Sequence, residues 1–152
     1  MKALIQRVSR AQVDVNSETV GSCGRGFMIL FCACAGDTEN DLDILIHKTV
    51  NLRIFEDENG KMNRSLLDVG GEVLCISQFT LAADTRKGNR PSFINAMEPE
   101  KANEMYGRFC AGLLAAGAAR VETGKFGADS QVSLINDGPV TVMLDTEIWC
   151  KK

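Results

Sequence analysis

Apolar and polar residues alternate in short segments of the chain, and this pattern predicts β-strands. Residues 11–15 alternate strictly, since polar residues separate Ala11, Val13 and Val15, and residues 2–8 also resemble a strand. A third segment, 27–33, is apolar throughout, as in a strand that is buried on both faces. Further strands are predicted at residues 52–55, 72–81 and 120–123.

Two other segments repeat their apolar residues at intervals of three and four, which predicts amphipathic helices. The first helix follows Asp37 or Thr38, either of which has a side chain suited to an N-cap. The second begins near Pro99 and ends at Gly117. Their apolar stripes are Leu42, Leu45, Ile46, Thr49 and Val50, and Ala102, Met105, Tyr106, Phe109 and Leu113. We therefore expect a single α+β domain over residues 1–152, with two main helices and a mostly antiparallel, curved, barrel-like sheet.

A Gly-Pro pair lies between two further strand-like runs, residues 131–135 and 140–144. Proline lacks the N–H that a sheet ladder requires, so Pro139 indicates a turn, a bulge or a sheet edge. Its bond to Gly138 is also of the kind for which the cis form costs little. The Asn-Asp-Gly sequence at 136–138, taken alone, favours a hairpin turn between two strands.

The composition is typical of a globular protein. A chain of 152 residues suits one domain, and 45% hydrophobic with 24% charged residues are ordinary proportions. The longest apolar run, residues 27–35, is far shorter than the roughly 20 residues that cross a bilayer. Gln6 and Arg7 come too early for the apolar core of a secretion signal. We expect a cytoplasmic protein without a membrane partner.

The cysteines lack the spacing of a metal site. The six are Cys23, Cys32, Cys34, Cys75, Cys110 and Cys150. None belongs to a Cys-x-x-Cys motif, and the single histidine, His47, leaves too few ligands for a familiar zinc site. Most of these cysteines are expected to be small buried residues. We expect no metal, no other cofactor and no disulfide.

Basic residues concentrate in one predicted loop. The net charge of −3 argues against a protein that coats itself with nucleic acid, although a local basic cluster can still bind phosphates. Arg86, Lys87 and Arg90 form such a cluster, and Gly88 and Pro91 indicate a loop. A solvated loop and a phosphate contact are equally compatible with these residues.

Familiar catalytic motifs are missing from the sequence. It has no Gly-x-Ser-x-Gly elbow, no P-loop and no dinucleotide-binding glycine motif. His47 lies on the first predicted helix, where a structural or surface role is favoured. Chemistry would then rely on hydroxyl, glutamine or backbone groups, or on the substrate. The end of the predicted strand at 72–81 offers such groups: alternation places Ser77 and Phe79 on one face. Gln78 and Thr80 are expected on the other.

Four segments in this order resemble the D-aminoacyl-tRNA deacylase family, also called the D-tyrosyl-tRNA deacylase family. They are Ser-Gln-Phe-Thr-Leu at 77–81, Ala-Asp-Thr-Arg-Lys-Gly at 83–88, Arg-Pro-Ser-Phe at 90–93 and Asn-Asp-Gly-Pro-Val-Thr at 136–141. The similarity also includes residues 1–8, 51–55 and 124–129. In one departure, Ser130 occupies the place where the family usually has Met, near the adenosine end of the substrate.

The resemblance implies hydrolysis of the ester that joins a D-amino acid to the 3′ end of tRNA. The candidate catalytic residues are then Ser77, Gln78, Phe79 and Thr80. Backbone N–H groups around Phe79 and Thr80 would stabilise the oxyanion. No base for a Thr80 nucleophile is visible in the sequence, so substrate positioning with help from the tRNA 2′-OH is favoured.

The resemblance also implies a homodimer with active sites at the subunit interface. In the family, a cis Gly-Pro peptide enters the partner's pocket, where its backbone oxygens reject L-amino acids by steric clash but admit D-amino acids and glycine. The residues implied in substrate binding and chiral selection are Gly138, Pro139, Asn136, Arg7, Phe126 and Ala128. The candidates for tRNA contact are Arg86, Lys87 and Arg90.

Two other functions remain compatible with the residues. A module that binds tRNA ends without chemistry would keep the basic loop but need neither Thr80 nor Pro139. A small hydrolase of another acyl ester would keep the pocket and bind no RNA.

Overall fold

The computed structural model describes residues 1–149, in which a long N-terminal strand organises the sheet. The strands are β1 (Lys2–Val15), β2 (Glu18–Cys23), β3 (Gly26–Cys32), β4 (Phe55–Glu56), β5 (Met62–Arg64), β6 (Glu72–Ser77), β7 (Arg120–Thr123) and β8 (Gln131–Asp145). The helices are α1 (Glu39–Val50), α2 (Leu66–Val69), α3 (Pro99–Ala115) and α4 (Thr146–Trp149). β1 pairs antiparallel with β2, β3 and β8, whereas β6 is parallel to β3 and β7 is parallel to β6.

The curvature of the main sheet brings its two outer strands together. The strand order is β2-β1-β3-β6-β7, with β8 also paired to β1. A Cβ atom on Gly21 of β2 would lie 2.4 Å from the carbonyl oxygen of Thr123 of β7, so only glycine permits this approach. The Ser22 N–H also donates to the Glu122 carboxylate at 3.3 Å. The α+β class and the curved, barrel-like sheet predicted from the sequence are confirmed.

The two long helices occur where the apolar spacing predicts them. Thr38 caps α1, and its N–H donates to the Asp41 carboxylate at 2.8 Å. α3 begins at Pro99 and buries Phe109, whose ring stacks on Phe31 of β3 with centroids 4.7 Å apart. α1 and α3 therefore close one hydrophobic core against the sheet.

β1 is continuous, so the prediction of separate strands at residues 2–8 and 11–15 is wrong. The alternation fails at Ser9 and Arg10 because both side chains are exposed. Backbone pairing nevertheless continues, and Arg10 lies opposite Ile135 of β8. Apolar periodicity indicates which side chains are buried, whereas a strand is held by its ladder of backbone hydrogen bonds.

The strand predicted at 72–81 is also too long, because β6 ends at Ser77. Its neighbours β3 and β7 end at Cys32 and Thr123, so no ladder is available farther on. Phe79–Ala82 form a 3-10 turn instead. The predicted division of residues 77–80 between two faces of a strand is therefore wrong.

Two smaller elements differ from the sequence prediction. The strand expected at 52–55 is reduced to Phe55–Glu56, which pairs with β5. The helix α2 was not predicted, because a single turn has too few residues to show an apolar period. Its capping residues were readable: the Ser65 hydroxyl accepts from the Asp68 N–H at 3.1 Å, and the Ser65 N–H donates to the Asp68 carboxylate.

The Gly-Pro segment lies in a bulge, and the prediction of a hairpin turn there is wrong. Both flanking runs belong to β8 and pair with β1 in the same direction, with Gln6 opposite Thr141 and Val8 opposite Asn136. One residue of β1, Arg7, therefore faces all of residues 137–140. The Gly138–Pro139 peptide bond in this bulge is cis.

The cysteines within residues 1–149 are free thiols. Cys23, Cys32, Cys75 and Cys110 are buried, and Cys34 is half-buried. Cys150 lies outside the described residues. Among the helices that the structure describes, none has the length and apolar character needed to cross a membrane.

Candidate active site

A mostly apolar cavity of ≈ 680 Å³ opens where β6 ends. Ser77, Gln78 and Phe79 form one side of it, and α3 contributes Ala102 and Tyr106. The loop after β7 completes the lining with Lys125, Phe126, Ala128 and Ser130. Five of the predicted site residues thus meet around one cavity, although they come from two distant parts of the chain.

Two backbone N–H groups at the end of β6 have no hydrogen-bond acceptor within residues 1–149. They belong to Phe79, which lines the cavity, and to Thr80, which follows it and is not among the lining residues; both begin the 3-10 turn, where no preceding carbonyl can reach them. The N–H of Gln78, in contrast, donates to the Phe31 carbonyl at 2.7 Å. The Phe79 and Thr80 N–H groups remain available to a ligand oxygen, as in an oxyanion hole.

The Thr80 hydroxyl is exposed and contacts an amide. Gln78 Nε2 donates to Thr80 Oγ1 at 2.5 Å. A glutamine amide does not accept a proton, so it cannot act as the base of a nucleophilic threonine. His47 is exposed on α1, where its ring contacts Asn51. In the part of the chain that the structure describes, no basic group hydrogen-bonds to the Thr80 hydroxyl.

Phe79 is fixed by contacts on both its ring and its carbonyl. The residue is 55% exposed, and its ring meets that of Phe93 edge to face, with centroids 5.0 Å apart. Its carbonyl lies 3.6 Å from the Cys32 sulfur, whose thiol can donate either to this oxygen or to the Ala33 carbonyl at the same distance. These contacts orient the turn that carries the two available N–H groups.

The opposite wall of the cavity is built from aromatic and small residues. The Tyr106 hydroxyl donates to the Cys75 carbonyl at 2.6 Å, and its burial raises the pKa of this phenol. Its ring lies 6.2 Å from that of Phe126, so both offer apolar surface rather than acid–base chemistry. The Ser130 hydroxyl donates to the Ala128 carbonyl at 3.3 Å.

A second group of predicted residues surrounds the β8 bulge. Arg7 is buried, and its guanidinium donates to the carbonyls of Asp137 and Ile54, both at 2.7 Å. Gly138 has a φ of +152°, and a Cβ there would lie 2.7 Å from the Val140 nitrogen. Arg7 therefore anchors the base of the bulge directly before Gly138.

Asn136 closes the same bulge from the other side. Its Oδ1 accepts from the Val140 N–H at 2.7 Å, and its Nδ2 donates to the Val140 carbonyl at 3.2 Å. The side chain thus replaces the backbone pairing that β8 loses here. The tip, Gly138–Pro139, is exposed and does not line the cavity of its own chain.

The basic cluster lies on a loop closed by Asp84 and Ser92, whose backbone N–H and carbonyl groups pair in both directions. The Arg86 guanidinium binds the Asp84 carboxylate at 2.6 Å and lowers the pKa of Asp84 to about 2. Lys87 and Arg90 are exposed. Arg86 is therefore already paired, and Lys87 and Arg90 carry the net positive charge of the loop.

Sequence reasoning missed the contribution of α3 to the cavity. Ala102 and Tyr106 were interpreted only as part of an apolar helix face, but both line the cavity. The phenol of Tyr106 was the available signal, because a buried tyrosine hydroxyl needs a polar partner. Within residues 1–149, no cluster of three or more His, Cys, Asp or Glu residues is arranged to hold a metal ion.

Known proteins share both the sequence and the fold of this chain. Residues 4–145 match the family model described as D-Tyr-tRNA(Tyr) deacylase. The chain belongs to this family. The resemblance that the motifs indicated is thereby confirmed.

Relatives in this family match over almost their whole length. A D-aminoacyl-tRNA deacylase of Ruegeria pomeroyi is 57% identical over 145 residues, covering 95% of this chain and 99% of that protein. One of Paracoccus denitrificans is 55% identical over 146 residues, covering 96% and 97%. A solved structure named c-Myc DNA Unwinding Element Binding Protein has a TM-score of 0.91 and 44% identity, covering 95% of this chain and 98% of that one.

Proposed function

We propose that this protein hydrolyses the ester bond of D-aminoacyl-tRNA and releases the free D-amino acid and tRNA. The supporting observation is the pair of available N–H groups of Phe79 and Thr80, on a turn whose first residue, Phe79, lines an apolar cavity in a chain of the deacylase family. Attack of water on the ester carbonyl places negative charge on its oxygen. One preorganised N–H donor contributes roughly 2.7–4 kcal/mol to stabilising such an oxyanion.

The cavity accepts the 3′-terminal adenosine of the tRNA. Phe126 and Tyr106 offer aromatic surface to the base, and base–aromatic stacking contributes roughly 1–3 kcal/mol. Lys125 is exposed at the same lining, where its ammonium suits a phosphate. The ester would then lie at the end of β6, next to the two N–H groups.

Thr80 positions the substrate instead of attacking it. Its hydroxyl accepts a hydrogen bond from the Gln78 amide, and among the described residues no basic group hydrogen-bonds to this hydroxyl. The ribose 2′-OH next to the ester supplies the hydroxyl that assists proton transfer to the leaving oxygen. Ser77 and Gln78 support the turn that carries the N–H donors.

Gly138 and Pro139 select the chirality of the substrate from the partner subunit. Their exposed tip does not line the cavity of its own chain, so a second copy is needed to bring the two together. Backbone oxygens at this tip occupy the space into which an L side chain would project. A D side chain points elsewhere, and glycine has no side chain, so both substrates pass.

A two-fold homodimer provides this arrangement. β8 pairs only with β1 among the described strands, and its other edge is free. Val132, Ile135 and Met143 on this strand are exposed large apolar residues. Isologous pairing over such a surface buries the apolar residues and covers the open edge.

The basic loop contacts the tRNA backbone. Lys87 and Arg90 are exposed, and neither takes part in an ion pair among the described residues. Arg86 is paired with Asp84 and must exchange this carboxylate for a phosphate. Contacts of this type depend on salt concentration and carry no sequence information.

The proposed function is tested with three substrates: D-aminoacyl-tRNA, matched L-aminoacyl-tRNA and a free D-amino-acid ester. Rapid hydrolysis of the first, with the other two spared, is expected. Ala128→Trp, which blocks the cavity, should abolish this activity. Ala115→Trp, on the exposed C-terminal end of α3, serves as the matched control and should retain it.

The same assay separates the alternative functions. Binding of tRNA ends without release of amino acid would indicate a non-catalytic module. Hydrolysis of the free ester without a requirement for tRNA would indicate a small acyl esterase. Equal rates on D- and L-aminoacyl-tRNA would contradict the chiral filter.

A further inference from the structure

A β-turn at the rim of the candidate site carries an isoleucine at its apex. This turn, the Ile94 turn, spans residues 93–96 and is closed by a hydrogen bond from the Ala96 N–H to the Phe93 carbonyl at 3.0 Å. Ile94 is 81% exposed, more than any other large apolar residue within residues 1–149. The central positions of β-turns usually carry glycine, proline, asparagine, aspartate or serine. A β-branched apolar side chain that is held in water at such a position is a candidate for contact with a ligand.

Backbone hydrogen bonds hold the Ile94 turn in place. The Asn95 carbonyl accepts from the Ala35 N–H at 2.9 Å, and just after the turn the Met97 N–H donates to the Ala33 carbonyl at 3.1 Å. The exposure of Ile94 therefore belongs to an ordered turn that is fastened to the segment after β3. A ligand that contacts this side chain meets it in a fixed position and does not have to order the backbone.

The Ile94 turn lies between the cavity of the candidate site and the basic loop. Its first and last residues, Phe93 and Ala96, both line that cavity. The residue before it, Ser92, pairs with Asp84 and closes the basic loop. Ile94 is thus two residues from the base of the loop and lies at the apex of a turn that forms part of the cavity wall. A ligand that extends from the cavity toward the loop passes over Ile94.

The basic side chains at the two ends of this path favour a polyanion. Lys125 is exposed at the cavity lining, and Lys87 and Arg90 are exposed on the loop. None of the three takes part in an ion pair among the described residues. Free ammonium and guanidinium groups attract the phosphates of a nucleic-acid strand. The path over Ile94 therefore joins an apolar contact in the middle to positive charge on both sides.

A second, more open cavity of ≈ 1380 Å³ borders the turn at Asn95 and disfavours a polyanion. Five carboxylate side chains line this cavity, against two basic side chains, Lys2 and Arg86. The carboxylates are those of Asp37, Asp41, Asp84, Asp145 and Glu147. Like charges repel, so a strand that leaves the candidate site is directed away from this cavity and toward the exposed basic side chains of the loop.

We propose that the Ile94 turn is a second nucleotide subsite, which binds the base of the penultimate nucleotide of the tRNA. This inference rests on the proposed function, in which the terminal adenosine occupies the cavity and the basic loop binds phosphates. Bases in a single-stranded end are unpaired and can lie on a protein side chain. The tRNA end has the sequence CCA, so the base in question is cytosine. Ile94 offers it an apolar face, and Phe93 extends this face at the cavity rim.

Substrates of different length test the subsite. They are D-phenylalanine esters of adenosine, of the dinucleotide cytidylyl-adenosine, and of the same dinucleotide without its cytosine base. For the wild type, kcat/KM should be roughly five- to thirtyfold higher for the complete dinucleotide than for adenosine, the gain expected when one face of an isoleucine is buried. The dinucleotide without cytosine should lack most of this gain.

Ile94→Ser should remove the gain for the dinucleotide and leave hydrolysis of the adenosine ester unchanged. Ile94→Leu, which keeps an apolar side chain, should retain most of the gain. Leu114→Ser is the matched control, because Leu114 is also an exposed apolar residue but lies at the C-terminal end of α3. This variant should behave as the wild type with all three esters.

Four results would overturn the proposal. The first is equal kcat/KM of the wild type for the adenosine and dinucleotide esters, and the second is a full gain with the dinucleotide that lacks cytosine. The third is an equal loss on both esters in Ile94→Ser, which would assign Ile94 to the shape of the cavity. The fourth is dissociation of Ile94→Ser into monomers in sedimentation, which would assign Ile94 to a contact between subunits.

Equilibrium binding of uncharged ligands separates this proposal from the proposed function, because it requires no hydrolysis. The wild type should bind cytidylyl-adenosine more tightly than adenosine by the same five- to thirtyfold factor, and Ile94→Ser should bind both alike. Tighter binding that depends on Ile94, in a protein without deacylase activity, would contradict the proposed function alone. Deacylase activity in a protein that binds the two ligands equally would contradict the Ile94 subsite alone.

Discussion

At the scale of single residues, the contacts of Thr80 argue for positioning. Its hydroxyl accepts a hydrogen bond from Gln78 and faces no described base. We expect Thr80→Ala to lose only roughly three- to tenfold in kcat/KM, the value of one neutral hydrogen bond. A substrate with a 2′-deoxy terminal ribose should react at least about a hundredfold more slowly, because it lacks the assisting hydroxyl.

Single-turnover hydrolysis by the wild type, Thr80→Ala and Thr85→Ala separates these effects. Thr85→Ala is the control, since this threonine is exposed on the basic loop. Complete loss of activity in folded Thr80→Ala, together with an acyl group trapped on Thr80 of the wild type, would restore the nucleophile hypothesis.

Ser130 leaves the cavity wider than a longer side chain would. It lines the cavity and is held only by the Ala128 carbonyl at 3.3 Å. We expect Ser130→Met to lower KM for aminoacyl-tRNA by about three- to tenfold, since each buried methylene contributes roughly 0.8 kcal/mol. The value of kcat should not change, because the added side chain is expected to contact the adenosine and not the ester. Ser130→Ala should leave KM as in the wild type, and a raised KM for Ser130→Met would show that the open space is needed.

At the scale of elements, β1 holds the β8 bulge through one side chain. Arg7 donates to the carbonyls of Asp137 and Ile54, and both would lose a donor in Arg7→Ala. An unsatisfied buried acceptor costs about 1–3 kcal/mol, so the free energy of unfolding should fall by roughly that amount. The tip at Gly138 and Pro139 should also lose its orientation, and L-aminoacyl-tRNA should become a substrate.

Thermal melts and the ratio of D to L rates measure the two consequences. Arg10→Ala is the matched control, because Arg10 lies on the same strand but is exposed. Arg7→Lys should restore part of the stability but little of the selectivity, since an ammonium lacks the fork that reaches two carbonyls. An unchanged D-to-L ratio in folded Arg7→Ala would separate Arg7 from the filter.

At the scale of the whole molecule, the separation of bulge and cavity predicts active sites shared between subunits. A heterodimer of an Ala128→Trp chain with a Pro139→Gly chain should contain one intact site and one site with both defects. Isolated by two affinity tags, it should be D-selective at about half the wild-type rate. If each chain screened its own cavity, the same heterodimer would hydrolyse both enantiomers. An active, D-selective monomer in sedimentation would also rule out shared sites.

The lowered pKa values of several carboxyl groups predict that stability falls on the acid side. The pKa of Asp68 is lowered by a hydrogen bond from the Ser65 N–H. Guanidinium groups do the same for two other carboxylates: Arg120 lowers the pKa of Glu72, and Arg86 lowers that of Asp84. A carboxyl group whose pKa is lower in the folded protein than in the unfolded chain stabilises the fold at pH values above its unfolded-chain pKa, which is near 4. This stabilisation is lost as the pH falls through the pKa of the folded protein. The melting temperature should be flat from about pH 6 to 8 and fall below about 4. A rise in melting temperature from pH 6 to 3 would contradict this assignment.

The candidate site was only partly accessible to sequence reasoning. Its motifs were recognisable because each of them, 77–81 and 136–141, is an uninterrupted run of residues that can be identified in the sequence without knowledge of the fold. The contribution of Tyr106 and Ala102 to the cavity wall could not be recognised from the sequence, because a helix face that lines a cavity has the same apolar spacing as one that packs in a core.

The sequence by itself determined the two long helices, the α+β class and the family, since amphipathic spacing, caps and local motifs are all properties of neighbouring residues. Only the tertiary structure decided where strands end and how they pair. β6 stops at Ser77 because its pairing with β7 ends at Cys75 and its pairing with β3 ends at Ser77, and the Gly-Pro segment is a bulge because β1 pairs on both sides of it. The burial of Arg7 follows from that bulge. Strand pairing joins residues that are far apart in the chain, and no local pattern contains that information.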